Sequence, residues 1–165
     1  LLHHPHIMRA AQESIDVVCG LRPPSFEDRE KLPYIEALIK EMMRWGSGVP
    51  AGIPHVASEV DGSVYYREYT IPKGTVFFDN IWSVLIQTRD PSVYTSPEVF
   101  DPTRFLDESG KLLPATPDTR LDLLRFGHGR RVCPGKGFAV NGLFIAITYL
   151  LWAFTLEWRI DDAGQ

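Results

Sequence analysis

Residues 126 to 135 read Phe-Gly-His-Gly-Arg-Arg-Val-Cys-Pro-Gly, and here the chain gathers the residue types that do chemistry. Glycines at 127, 129 and 135 permit sharp bends and let a flat ligand approach the backbone. Cys133 stands directly before Pro134. Proline is favoured at the first position of a helix, where its missing N–H has no partner to lose, so the sequence predicts Cys133 at a helix N-terminus. The positive end of the helix dipole and its free N–H groups favour a thiolate there, and the thiolate is the form that binds metal. A single thiolate can serve as the axial ligand of a haem iron, pushing electron density toward the metal and favouring O–O cleavage. Arg130 and Arg131 can pair with carboxylates, of which haem carries two.

Such a turn needs elements to hold it. The chain has 165 residues, 44% hydrophobic and 23% charged, which suits one packed domain and argues against wholesale disorder. Ile7, Ala11, Ile15 and Val18 recur at helical spacing, so a helix is predicted from Leu1 to Val18 with Gly20 as its stop. Pro23 and Pro24 mark a loop over Leu21 to Arg29. Tyr34, Leu38, Met42 and Trp45 then form a second stripe, ended by Gly46-Ser47-Gly48. From Ile53 to Asp79 the β-branched and aromatic residues, punctuated by Asp61-Gly62 and Pro72-Lys73-Gly74, predict a small sheet of short strands. Pro91 to Leu124 reads as a long ordered loop. The uncharged run Phe138 to Leu156 reads as a buried helix rather than a membrane span, since Asn141, Gly142, Thr148 and Thr155 interrupt it and Lys136 and Glu157 flank it without a cationic bias.

With the elements in place, Phe126-x-x-Gly129-x-Arg131-x-Cys133-x-Gly135 resembles the haem-binding signature of the cytochrome P-450 monooxygenases at all of its fixed positions. Two further family features precede it in the family's order: Glu41-x-x-Arg44 in the second helix, and Phe100-Asp101-Pro102-Thr103-Arg104-Phe105, which is similar to the proline-x-arginine-phenylalanine element. The resemblance runs from the helix around Gln12 to the helix after Cys133. It implies a mainly α fold with a small β-sheet, the C-terminal part of the cytochrome P-450 fold, with residues 1–165 as its haem-ligating segment and the N-terminal part absent.

By that resemblance the cofactor is haem b. Cys133 is its proximal iron ligand, Arg131 partners a propionate, Phe126 packs beside the ring, Gly135 completes the turn and His55 lies near a propionate. Glu41, Arg44 and Arg104 form a structural network that locks the long loop onto the second helix. No catalytic residue beyond the iron ligand is implied in this segment. The implied reaction inserts one atom of dioxygen into a small apolar organic substrate, with electrons from an NADPH-dependent reductase. Membrane association at the endoplasmic reticulum follows if a missing N-terminus carries the family's anchor. The chain begins at Leu1 inside an apolar stretch, so an upstream segment is expected.

A different class of reading is a truncated, non-catalytic fragment, which an upstream coding segment with an oxygen-activating helix would decide against. An electron-carrying haem protein fits less well, because thiolate ligation favours oxygen activation. A net charge of −4 without a Lys/Arg block argues against nucleic acid. Cys19 and Cys133 alone make no disulfide framework. His3, His4 and His6 with Cys19 lack the second cysteine and the spacing of a common zinc finger. Asp161 and Asp162 read as a solvated tail. One departure stands out after Asn80-Ile81-Trp82: Val84 to Gln87 makes the path to Asp90 about three residues longer than in relatives, a change that would turn a helix by roughly 300° but that a loop absorbs.

Overall fold

The computed structural model describes residues 1–46, 53–58, 64–78, 88–116, 119, 125–127 and 129–158. The first helix, α1, spans Pro5–Cys19. It starts later than the periodicity suggests because Pro5 occupies the first turn, where a proline costs no hydrogen bond. Leu1 to His4 form a turn instead, with the His4 N–H donating to the Leu1 carbonyl at 2.9 Å. Ile7, Met8, Ala11, Ile15 and Cys19 make its buried face. Gly20 ends it at φ 57, a left-handed conformation that glycine adopts without steric cost. The loop that follows contains a 3-10 turn, Phe26–Lys31, anchored where Arg22 Nη2 meets Asp28 Oδ1 at 2.7 Å.

The second helix, α2, spans Pro33–Trp45. Of the stripe expected for it, only Leu38 is fully buried, while Met42 is exposed. The helix is covered on two sides. Ile35, Leu38 and Ile39 join the core with α1, whereas Ala37 packs with Tyr94 and Phe105, and Glu41 and Arg44 are buried beside it. A search for one apolar stripe misses the second side because its centre is an ion pair.

Among the described residues four short strands follow: β1 His55–Val56, β2 Val64–Tyr66, β3 Tyr69–Ile71 and β4 Val76–Phe77. They form two antiparallel pairs rather than one sheet, β1 with β4 in register His55 to Phe77, and β2 with β3 in register Tyr66 to Tyr69. The turn between β2 and β3 is Arg67-Glu68, with Arg67 at φ 53, and no glycine or asparagine flags it in the sequence. Gly74 at φ 80 supports the reversal at Pro72-Lys73-Gly74, where the Thr75 N–H donates to the Pro72 carbonyl at 3.1 Å. Asp61-Gly62, Ser47-Gly48, Asn80 to Gln87 and the two aspartates at 161 and 162 lie outside the described residues.

The ordered loop from Asp90 onward carries the 3-10 turn Pro102–Phe105 and an isolated bridge between Leu106 and Leu112. The last helix, α3, spans Lys136–Ala153. It is less buried than expected, because α1 and α2 cover one side: Phe144, Ile147, Thr148 and Leu151 are buried, whereas Phe138 is 87% exposed and Tyr149 and Leu150 also face outward. By length and composition it could cross a membrane, with 18 residues at mean hydropathy 1.4. In this fold it completes the core with α1 and α2.

Candidate functional site

The ion pair on α2 is fully buried and held on every side. Glu41 and Arg44 lie three residues apart, hence on one helical face, and meet through two bonds of 2.7 Å. Both side chains are fully buried. Arg44 Nη1 donates onward to the carbonyls of Thr88 at 2.8 Å and Pro97 at 2.9 Å, and Nη2 to that of Val99 at 3.2 Å. Glu41 Oε1 also accepts the backbone N–H of Asp101 at 2.8 Å, and Glu41 Oε2 lies 3.2 Å from Arg104 Nε. Arg104 in turn donates to the carbonyls of Thr95, Ser96 and Val99. One carboxylate thus faces two guanidinium groups, and backbone carbonyls supply the remaining negative potential. A buried pair is tolerable only when its spare donors and acceptors are met in this way.

The network fixes the loop from Thr88 to Arg104 against α2. Tyr94 packs on Phe105 at 6.4 Å between ring centroids, and the Arg44 guanidinium lies 5.4 Å from the ring centres of both Trp45 and Tyr94. Phe100 stacks on His4 at 5.1 Å and meets the edge of Trp45 at 5.7 Å, which joins the loop to α1 as well.

The cysteine turn closes on itself. The Cys133 N–H donates to the Phe126 carbonyl at 2.7 Å, and Gly127 at φ 72 and Gly129 at φ 61 make the bends between them. A 3-10 turn, Gly129–Arg131, carries Arg130 and Arg131, both exposed. The helix begins later than the sequence suggests, at Lys136 with Gly135 as its cap. Pro134 is therefore not its first residue, and Cys133 lies two residues before the cap. The Cys133 carbonyl still accepts the Lys136 N–H at 3.3 Å, so the cysteine leads directly into the first turn of α3. A side chain at position 135 would put its Cβ 3.8 Å from the Cys133 sulfur, so the glycine there keeps that flank of the sulfur clear.

Cys133 is exposed whereas Cys19 is buried, which leaves the sulfur of the turn open to a ligand. Burial raises the Cys19 thiol pKa above its ordinary value, so that cysteine stays protonated. Phe126, Cys133 and Gly135 come together in the turn. Arg131 lies on it but points outward, and His55 sits half-buried on β1, opposite Phe77 in a different element. Among the described residues no group of three His, Cys, Asp or Glu could hold a bare metal ion. His3 packs against Trp158 and His4 against Phe100 instead.

Two members of the site had no signal that singled them out. The Asp101 N–H reaches Glu41 through its backbone, which no side-chain pattern reports. Arg125 Nη2 donates to the Arg44 carbonyl at 3.2 Å and so ties the base of the cysteine turn to the end of α2. Among the described residues its buried Nε and Nη1 meet no acceptor, and burial lowers its pKa from the usual arginine value. A cation directly before Phe126 was its only trace in the sequence.

The profile of the family described as Cytochrome P450 matches residues 1–163. A cytochrome P450 monooxygenase of Armillaria gallica is 41% identical over 99% of this chain and 31% of its own length. Cytochrome P450 monooxygenase 58 of Postia placenta is 43% identical over 93% of this chain and 28% of its own. Cytochrome P450 monooxygenase CLM2 of Gibberella zeae is 38% identical over 100% and 29%. The chain spans about a third of the length of these relatives. A mainly helical fold with small strand pairs, a buried Glu41–Arg44 pair and a cysteine turn leading into α3 agree with matches that run almost end to end: the chain belongs to the cytochrome P450 family.

Proposed function

We propose that this chain is the C-terminal, haem-ligating part of a monooxygenase that inserts one atom of dioxygen into a small apolar organic substrate. What supports the reading is the cysteine turn: an exposed Cys133, held by its own N–H on Phe126 and cleared on one flank by Gly135. The donor set fits haem b, whose iron takes a single soft protein anion on the proximal side. Bound there, haem would supply the one-electron and dioxygen chemistry that no side chain provides. Cys133 would give the thiolate, Phe126 would lie beside the ring, and Arg131 and His55 would answer the propionates. Glu41, Arg44 and Arg104 hold the turn's support rigid and touch no reactant. Electrons would come from an NADPH-dependent reductase.

A reduced carbon-monoxide difference spectrum of the haem-loaded protein tests this. The thiolate-type band is expected, and Cys133→Ser, which exchanges a soft anion for a hydroxyl, should abolish it. A band unchanged by the substitution overturns the assignment of Cys133.

A further inference from the structure

A cleft of about 830 Å³ opens between α2, the ordered loop and the start of α3. It is separate from the cysteine turn, and Cys133, Arg131, Phe126, Gly135 and His55 are not among the residues that line it. Its volume falls in the range that holds a small organic ligand. The walls are chiefly apolar, formed by Ile39, Met43, Phe105, Leu113 and Val140.

The charges on those walls are unequally satisfied. Glu36 has both oxygens engaged by Arg29, at 2.6 Å and 3.2 Å. Arg104 is spent on Glu41 and three carbonyls. Asp101 accepts the N–H and hydroxyl of Thr103, at 2.9 Å and 2.6 Å. Lys40 differs. It is half-buried one helical turn after Glu36, and its ammonium lies 5.8 Å from the centre of the Phe105 ring. Among the described residues it has no hydrogen-bond acceptor and no ion-pair partner. Burial lowers its pKa from the ordinary lysine value, and the Glu36 carboxylate one turn earlier offsets only part of that effect.

We propose that this cleft binds an amphipathic monocarboxylate, its head group on the Lys40 ammonium and its hydrocarbon body along Ile39, Met43, Phe105 and Leu113. A carboxylate supplies the acceptor that Lys40 lacks, and the apolar body takes the place of water on the walls. Lys136, also on the wall, has a partner of its own, and Glu36, Asp101 and Arg104 are engaged as above, so the head group that the cleft calls for is one carboxylate on Lys40. The proposal is independent of the haem assignment.

Titration of the full 165-residue chain with cis-parinaric acid, a fluorescent long-chain carboxylic acid, tests it against the methyl ester of the same acid. Saturable binding of one acid per chain is expected. Esterification and Lys40→Met should each weaken it about tenfold, and the two together should weaken it little further, since both remove the same contact. Ala115→Trp, at an exposed position of the lining, should block the cleft without touching α2. Circular dichroism checks that each variant keeps its helices, and if Lys40→Met does not fold, the ester and Ala115→Trp decide between them. Equal binding of acid and ester overturns the proposal. So does binding that Ala115→Trp leaves intact, which would place the probe on the exposed apolar residues of α3 or β2, and so does the lack of saturable binding.

Discussion

Arg125 donates from Nη2 to the carbonyl of Arg44, the residue whose own guanidinium is locked on Glu41. The base of the Cys133 turn is thereby hung from the last turn of α2, and the cation sits where the negative end of that helix's dipole favours it. The tether is an uneven one, since two of the three Arg125 nitrogens are buried and meet no acceptor among the described residues.

Arg125→Met should therefore leave global stability within about 1 kcal/mol of the parent, because the lost hydrogen bond is offset by relief of an undercompensated buried charge. The turn itself should loosen. Hydrogen exchange at the Cys133 amide, which is bonded to Phe126, is expected to speed up while exchange in α1 stays unchanged. A large fall in the urea midpoint would show that the tether is a global support.

Glu41→Gln should be among the most damaging single substitutions. It leaves Arg44 and Arg104 facing a neutral amide in a buried site, and losing one partner of such a pair costs about 3–5 kcal/mol. Arg104→Gln should cost less, since Glu41 keeps its two bonds to Arg44 and so no buried charge is left unpaired. Urea denaturation of the two variants, with soluble yield as the readout if Glu41→Gln does not fold, should rank them in that order. Equal effects would mean that the Arg104 contact matters as much as the α2 pair.

Asp28 gives the loop after α1 a pH dependence of known sign. Hydrogen bonds from Arg22 and from the backbone and hydroxyl of Ser25 hold its carboxyl far below the ordinary value of 3.8. Its folded pKa is depressed, so its contribution to stability is present above pH 3.8 and is lost as pH falls below that toward the folded value. The stability difference between the parent chain and Asp28→Asn should be constant from pH 7 to 5 and shrink below pH about 4. A difference that grows on acidification would contradict the assignment.

Exposed apolar surface should govern how the isolated chain behaves. Phe138 is 87% exposed on α3, Phe154 is 62% exposed just after it, and Tyr65, Tyr66 and Tyr69 are exposed on β2 and β3. Exposed apolar residues drive association where they join into one patch. Sedimentation of the chain should show self-association that Phe138→Lys reduces, and a strictly monomeric parent would show that these residues do not form a continuous sticky face.

Much of this arrangement was legible in the residues, and the parts that were not share a cause. Periodicity located α1 and α2 because burial leaves a repeating mark, an uncharged run located α3, and Gly20 marked an end because of the positive φ it allows, whereas Gly46 ends α2 in extended backbone open to any residue. Glu41, Arg44 and Arg104 could be matched by pattern, and the structure brings them together. What escaped depended on backbone atoms or on distant neighbours. The Asp101 N–H and the Arg44 carbonyl have no side-chain signature. The reversal at Arg67-Glu68 uses a left-handed arginine that turn statistics disfavour. The extent of burial of α3 depends on what packs around it, which no property of the helix itself reveals.

With apolar residues around its whole circumference, α3 has no preferred azimuth from hydrophobicity alone, because turning it about its axis exchanges one greasy side for another. Polar contacts at both ends make the choice: near the start Arg29 Nη1 donates to Asn141 Oδ1 at 2.6 Å, and further bonds hold the far end. Gln12 Nε2 donates to the carbonyls of Leu151 and Phe154, at 3.2 Å and 3.1 Å, and Trp152 Nε1 to that of Gly20 at 3.1 Å. These bonds act as a keyway. They set the rotation of a shaft whose other end begins three residues after Cys133, so the bearing of the sulfur is set in part by a glutamine on α1.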